Sequence, residues 1–164
     1  MKIINIILII SFYLEGIITN FINLNTKLFN PLFLFTGIIL IYPLITNEHK
    51  YYRMCLTYGF IYDLVYTNTI FLHALIFLLI GYLISKSMTY FENNLLNTNI
   101  TILISILIYR IINYILLCLV SEVSFNIYEL LNSITSSIIL NILYGTILYL
   151  LLRKKYINNR NKIL

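Results

Sequence analysis

Charge is what this chain has least of. Only 10% of its 164 residues are Asp, Glu, Lys or Arg, while 60% are hydrophobic and the mean hydropathy is +0.90. A soluble domain carries about a quarter charged residues, so an ordinary water-facing surface is excluded. Cysteine is nearly as scarce. Cys55 and Cys118 both sit inside apolar runs, which excludes a disulfide framework and leaves no Cys/His spacing that would hold a metal. Glycine occurs five times, never as G-x-x-x-G and never in a phosphate-cradling loop, and there is no G-x-S-x-G. Those gaps, with no long polar segment and no pair of carboxylates facing a cleft, argue against an enzyme and name no catalytic or cofactor-binding residue. Alanine appears once, at Ala74, and tryptophan not at all, while Ile, Asn, Lys and Tyr abound, a codon bias of AT-rich genomes.

What is present is a series of unbroken apolar runs. In lipid the backbone must satisfy its own hydrogen bonds, so only helices or closed barrels span. Unbroken rather than alternating runs select helices. The runs predict an all-α integral membrane protein of six transmembrane helices in a single polytopic domain, with spans at about 3–21, 31–45, 52–66, 70–85, 100–120 and 134–152 and a basic tail over 153–164. The first run continues through Glu15 and Gly16 without the small residues of a cleavage site, so it reads as a retained helix rather than a signal peptide. Asn23, Asn25, Lys27 and Asn30 end it, and Pro31 opens the second. The third is short, and the break Thr67-Asn68-Thr69 makes a tight hairpin with the fourth. Between the fifth and sixth, Ser121 to Leu131 places apolar residues on one helical face beside Glu122 and Glu129, which predicts a short helix on the bilayer surface.

Orientation follows from the eleven Lys and Arg, because cytoplasmic loops carry the excess. With both termini inside, Lys2, Lys50, Arg53, Lys86, Arg153, Lys154, Lys155, Arg160 and Lys162 are cytoplasmic. Lys27 alone is outside, and Arg110 lies within a span. The net charge of +5 is thereby explained by topology and anionic inner-leaflet lipid, with no call for nucleic acid.

Four ionisable residues fall inside the spans: Glu15, Asp63, His73 and Arg110. Unpaired charges at that depth are costly, so each needs a partner, a cavity or a neutral form. Glu15, Asp63 and Arg110 each lie about 15–20 Å from the inner end at 1.5 Å per residue. The expectation is that Arg110 pairs with Asp63, Glu15 or both, and that these groups fix helix packing. His73 lies nearer the outer face as a packed or interfacial residue, with no companions for a metal site.

Beyond composition, the stretch Tyr58-Gly59-Phe60-Ile61-Tyr62-Asp63-Leu64, followed after the hairpin by His73-Ala74-Leu75-Ile76-Phe77-Leu78-Leu79-Ile80-Gly81-Tyr82, resembles the MreD family of rod shape-determining membrane proteins, in the form found in Gram-positive bacteria. Pro31-Leu32-Phe33 opening the second span and Leu148 to Lys154 at the close fit as well. One departure stands out: Ile70-Phe71-Leu72 occupies the place where the family usually carries a Gly before the Ala-Leu pair. The resemblance implies a non-enzymatic scaffold without cofactors, multi-pass in the bacterial plasma membrane. It would bind MreC and, through it, MreB, RodA and a penicillin-binding transpeptidase, in side-wall peptidoglycan synthesis and cell-shape maintenance. It also implies a fold like the substrate-binding subunit of energy-coupling-factor transporters, so the alternative function is binding a vitamin or other micronutrient. A third reading, a small channel or ion-coupled carrier, rests on the buried charges alone. Under the family reading Gly59 lets a neighbouring helix approach, and Asp63 accepts hydrogen bonds from backbone groups left unpaired by the short third span.

Overall fold

The computed structural model describes residues 2–21, 30–67, 69, 71–88, 94–121 and 124–160. Those residues form six α-helices and no strand: α1 (Lys2–Phe21), α2 (Phe33–Ile41), α3 (Glu48–Tyr66), α4 (Leu72–Ser87), α5 (Leu95–Leu119) and α6 (Ile127–Arg160). Asn23, Asn25, Lys27, Asn68, Ile70, Glu122 and Lys162, on which parts of the sequence reading rest, lie outside the described residues.

By length and composition, three helices can cross a membrane, over Ile3–Asn20, Leu95–Leu119 and Ile127–Arg153; α2 and α4 are apolar but shorter. The second predicted span, 31–45, is the largest departure. Only nine residues of it are α-helical, a 3-10 turn at Tyr42–Leu44 follows, and every residue of α2 is buried. The physical reason lies at both ends. Pro43 lacks the N–H that would continue the helix, and Pro31 holds the entering strand of chain extended. FLFTGIILI is apolar on every face, and such a helix belongs inside a bundle.

The predicted surface helix is not a separate element. Residues 127–131 are the first turn of α6, which runs on for 34 residues into the basic tail. No Pro interrupts the stretch, Gly145 is accommodated within it, and Ser133, Thr135, Ser136 and Ser137 return their hydroxyls to carbonyls three or four residues back. The polar Asn94 to Asn99 likewise opens α5 instead of separating spans. Asn94 caps that helix, its side chain accepting from the Asn97 N–H at 2.8 Å, and Asn47 does the same for α3, a Ser/Thr/Asp/Asn preference at N-caps.

The core gathers round α2: Leu8 from α1, Leu34, Phe35 and Ile38 to Ile41, Cys55 from α3, Phe77 and Ile80 from α4, Ile102, Ile106 and Tyr109 from α5 are all buried. Ile6, Ile10, Leu64, Leu75, Ile104 and Leu143 face outward. Where lipid is the solvent, close packing and hydrogen bonds rather than apolar burial decide which faces meet.

Candidate functional site

The helices pair as three hairpins, and in each a polar side chain on the first helix holds the start of the second. A helix start leaves its first four N–H groups without partners. In the α3–α4 hairpin Asp63 supplies the acceptors. Its Oδ1 takes the His73 N–H and its Oδ2 the Ala74 N–H, both at 3.1 Å. Oδ1 also receives His73 Nδ1 at 2.8 Å and the Thr69 hydroxyl at 3.0 Å. A carboxylate only accepts, so Nδ1 carries the proton. The groups that Asp63 satisfies thus belong to the start of α4 rather than the end of α3: a helix C-terminus leaves carbonyls, which cannot donate to a carboxylate. Phe71, at the α4 N-cap, sits at φ 66, and this left-handed residue takes the strained position before α4.

The same hairpin closes at Gly59. A Cβ there would lie 2.6 Å from the Ala74 Cα and 2.9 Å from both the Ala74 nitrogen and the His73 oxygen. No backbone can yield that much, so only glycine admits this approach. Gly59 and Asp63, one turn apart, therefore act on the same two residues of α4.

In the α1–α2 hairpin Glu15, 2% exposed, accepts the Leu34 N–H at 2.9 Å. Asn141 of α6 completes the cap, its Oδ1 accepting the Leu32 N–H at 2.9 Å while its Nδ2 donates to the Ser137 carbonyl at 2.6 Å. In the α5–α6 hairpin the Tyr114 hydroxyl accepts the Asn126 N–H at 2.7 Å and donates to the Asn126 carbonyl at 2.9 Å.

Arg110 does not pair as expected. Its Nε donates to the Ser137 hydroxyl at 2.8 Å, and among the described residues the ion pair within 4 Å that involves Asp63 is with His73. The carboxylate of Asp63 is already committed to α4, which removes it from reach. Glu15, occupied by α2, is an electrostatic neighbour of Arg110 without direct contact. Arg110 is 9% exposed, and among the described residues its Nη2 has no hydrogen-bond partner. Around these groups five rings close the middle of the bundle: His73 packs on Tyr62 (centroids 5.0 Å) and Tyr109 (6.0 Å), and Phe35 on Phe77 (5.3 Å) and Tyr109 (5.0 Å).

Glu15, Gly59, Asp63, His73 and Arg110 are thus all buried or packed, but in two clusters. Gly59, Asp63 and His73 form one, and Glu15 belongs to the cap of α2 with Arg110 beside it through Ser137 and Asn141. Asn141, Ser137, Tyr62, Tyr109 and Tyr114 are the participants sequence reasoning missed. Asn141, a lone amide between Leu140 and Ile142, carried the clearest signal, since an amide in an apolar run needs partners. No group of three His, Cys, Asp or Glu that could hold a metal occurs among the described residues.

Comparison with known families gives one match that spans nearly the whole chain: the model of rod shape-determining protein MreD covers residues 1–158. Neither curated proteins nor solved structures give a match, so the expected likeness to the transporter subunit fold has no support from them.

Proposed function

The chain belongs to the family of the rod shape-determining protein MreD, and we propose that it works as a non-enzymatic scaffold of the rod-shape complex. On this reading it sits in the bacterial plasma membrane with both termini cytoplasmic. It binds MreC and, through it, MreB, RodA and a penicillin-binding transpeptidase, so that side-wall peptidoglycan is inserted where it maintains a rod. The observation that carries the proposal is the extent of the match, residues 1–158, which leaves little of the chain for another task.

The interior is consistent with a scaffold. Glu15, Asp63 and Asn141 spend their hydrogen bonds on helix starts, and Phe35, Tyr62, His73, Phe77 and Tyr109 pack on one another. A vitamin-binding subunit asks instead for an open chamber lined by polar and aromatic groups. The placement of nine of eleven cations at inner segments supports the orientation.

Depletion of the protein in its host, with cell shape followed by microscopy and MreC sought in a pull-down, tests the proposal. Rounded or swollen cells and recovered MreC are expected. Normal rods with no MreC would end the scaffold reading, and growth that becomes vitamin-dependent would favour the transporter one.

A further inference from the structure

Two helices that pack closely along their whole length leave no furrow between them, and α4 and α5 do leave one. It encloses about 250 Å³. The cause is side-chain size. Thr101 and Ser105 stand one turn apart on α5, where larger apolar residues would fill the gap to α4. With Ile84 they make the floor, all three at most 9% exposed, while Leu83 on one side and Ile100 and Ile104 on the other form exposed walls.

The furrow has a direction. It opens between Ser87, the last residue of α4, and Asn97, in the first turn of α5. Lys86 is exposed at that end. From there the furrow runs to Ile80 and Ile108, about 16 Å along α5. Beyond them the helices close, with Phe77 packed on Tyr109 at 6.1 Å between ring centroids. Half of a bilayer core about 30 Å thick is about 15 Å, so the furrow ends at the depth where one leaflet ends.

Its lining selects an apolar occupant with one polar end. The Thr101 hydroxyl donates to the Asn97 carbonyl at 2.8 Å and the Ser87 hydroxyl to the Ile84 carbonyl at 3.0 Å. Both are thus satisfied within their own helices. A volume this small, drawn out over this length, suits one extended hydrocarbon chain; an α-helix, about 10 Å across, is too broad. We propose that the α4–α5 furrow binds one acyl chain of an anionic phospholipid from the leaflet at the Lys86 end. The chain lies over Thr101 and Ser105 and ends near Ile80 and Ile108, with its headgroup at Lys86. That side chain has a long stem that keeps its ammonium at headgroup level, where basic residues attract anionic lipid. Every lipid tail is apolar, so preference over bulk lipid comes from close contact along the furrow and from the charge at its mouth. The site depends neither on the scaffold proposal nor on which side of the membrane that leaflet faces.

The chain has no tryptophan, so a single introduced one reports on its own surroundings. Two full-length variants serve: Ile104→Trp on the furrow wall and Leu143→Trp on the exposed face of α6. Gly145 of α6 lies against Ile102 of α5, which puts Leu143 at about the depth of Ile104. Arg153 and Lys155 stand at the same end of α6, so the two sites share a leaflet with basic residues at its surface and differ in the furrow. Each variant is reconstituted in phosphatidylcholine vesicles with increasing fractions of brominated phosphatidylglycerol or brominated phosphatidylcholine. At Ile104→Trp, half-maximal quenching is expected at a severalfold lower fraction of the brominated phosphatidylglycerol, and at Leu143→Trp the two lipids quench alike. Adding Ser105→Leu, which fills the floor, abolishes the preference, and Ser105→Ala keeps it. Lys86→Gln, at an exposed position, weakens it without touching the packing of the bundle. No preference at Ile104→Trp, an equal one at Leu143→Trp, or one that survives unchanged in Ser105→Leu or in Lys86→Gln would overturn the proposal. So would a tryptophan at 104 that neither lipid quenches, since a second copy of the chain would then cover the furrow.

Discussion

Asp63 and His73 meet twice: the carboxylate oxygen Oδ1 accepts both the backbone N–H of His73 at 3.1 Å and its ring Nδ1 at 2.8 Å. One residue of α3 thereby determines where α4 begins and how its first side chains are turned. The pair is buried on both sides, so neither partner can exchange it for water.

Asp63→Ala removes the acceptor for two buried N–H groups, from His73 and Ala74. Each orphaned group costs about 1–3 kcal/mol, so a loss of about 2–6 kcal/mol is expected, read as a lower unfolding midpoint in detergent. Asp63→Asn keeps one acceptor oxygen and should fall between the two. Unchanged stability in the alanine variant would mean that Asp63 does not cap α4.

The five glycines are not equivalent. Gly59→Ala drives a methyl into the backbone of Ala74 at 2.6 Å, whereas Gly16→Ala meets only the tip of the Tyr66 side chain, which can swing aside. Overpacking against rigid backbone costs about 1–3 kcal/mol. Thermal melts should show Gly59→Ala clearly less stable and Gly16→Ala close to the parent. The reverse order would contradict the hairpin geometry.

Coupling energies separate the two polar clusters. Asp63→Ala and His73→Ala remove opposite ends of one hydrogen bond and should be non-additive by about 0.5–3 kcal/mol. Asp63→Ala and Arg110→Ala share no bond and should add within about 0.5 kcal/mol. Folded yield and unfolding free energy of the single and double variants measure both, and strong coupling of Asp63 to Arg110 would restore the ion pair that the geometry rules out.

Asn141 tests the entry to α2. Its amide both accepts from Leu32 and donates to Ser137, so Asn141→Leu keeps the volume and loses both. A destabilisation of about 1–3 kcal/mol is expected, with Asn141→Asp milder because it retains the acceptor for Leu32. A protease site placed before Pro31 should be cut faster in the leucine variant, and an unchanged cleavage rate would remove Asn141 from the cap.

Much of the fold could be read along the chain, because lipid imposes a simple rule on sequence. Long apolar runs without Pro became α1, α5 and α6, and Asn47 and Asn94 mark helix starts by the ordinary preference for side-chain acceptors there. The significance of Glu15, Asp63, His73 and Arg110 was equally legible, since ionisable residues in apolar runs need partners. Their partners were not. Depth estimates placed Glu15, Asp63 and Arg110 at similar heights, yet height says nothing about which way a side chain points round its helix. Asp63 turned to the start of α4, ten residues along the chain, and Arg110 to Ser137, 27 residues away.

By itself, then, the sequence determined the solvent, the helical class, the family and the residues that could not be left bare in lipid. Each follows from composition or from neighbours along one helix. Only the tertiary structure decided that α2 is a nine-residue buried helix and that Asp63 and Glu15 are spent on helix starts. The reason is that hydrogen-bond acceptors serve whichever donors packing brings within about 3 Å, and packing joins residues that no local pattern relates.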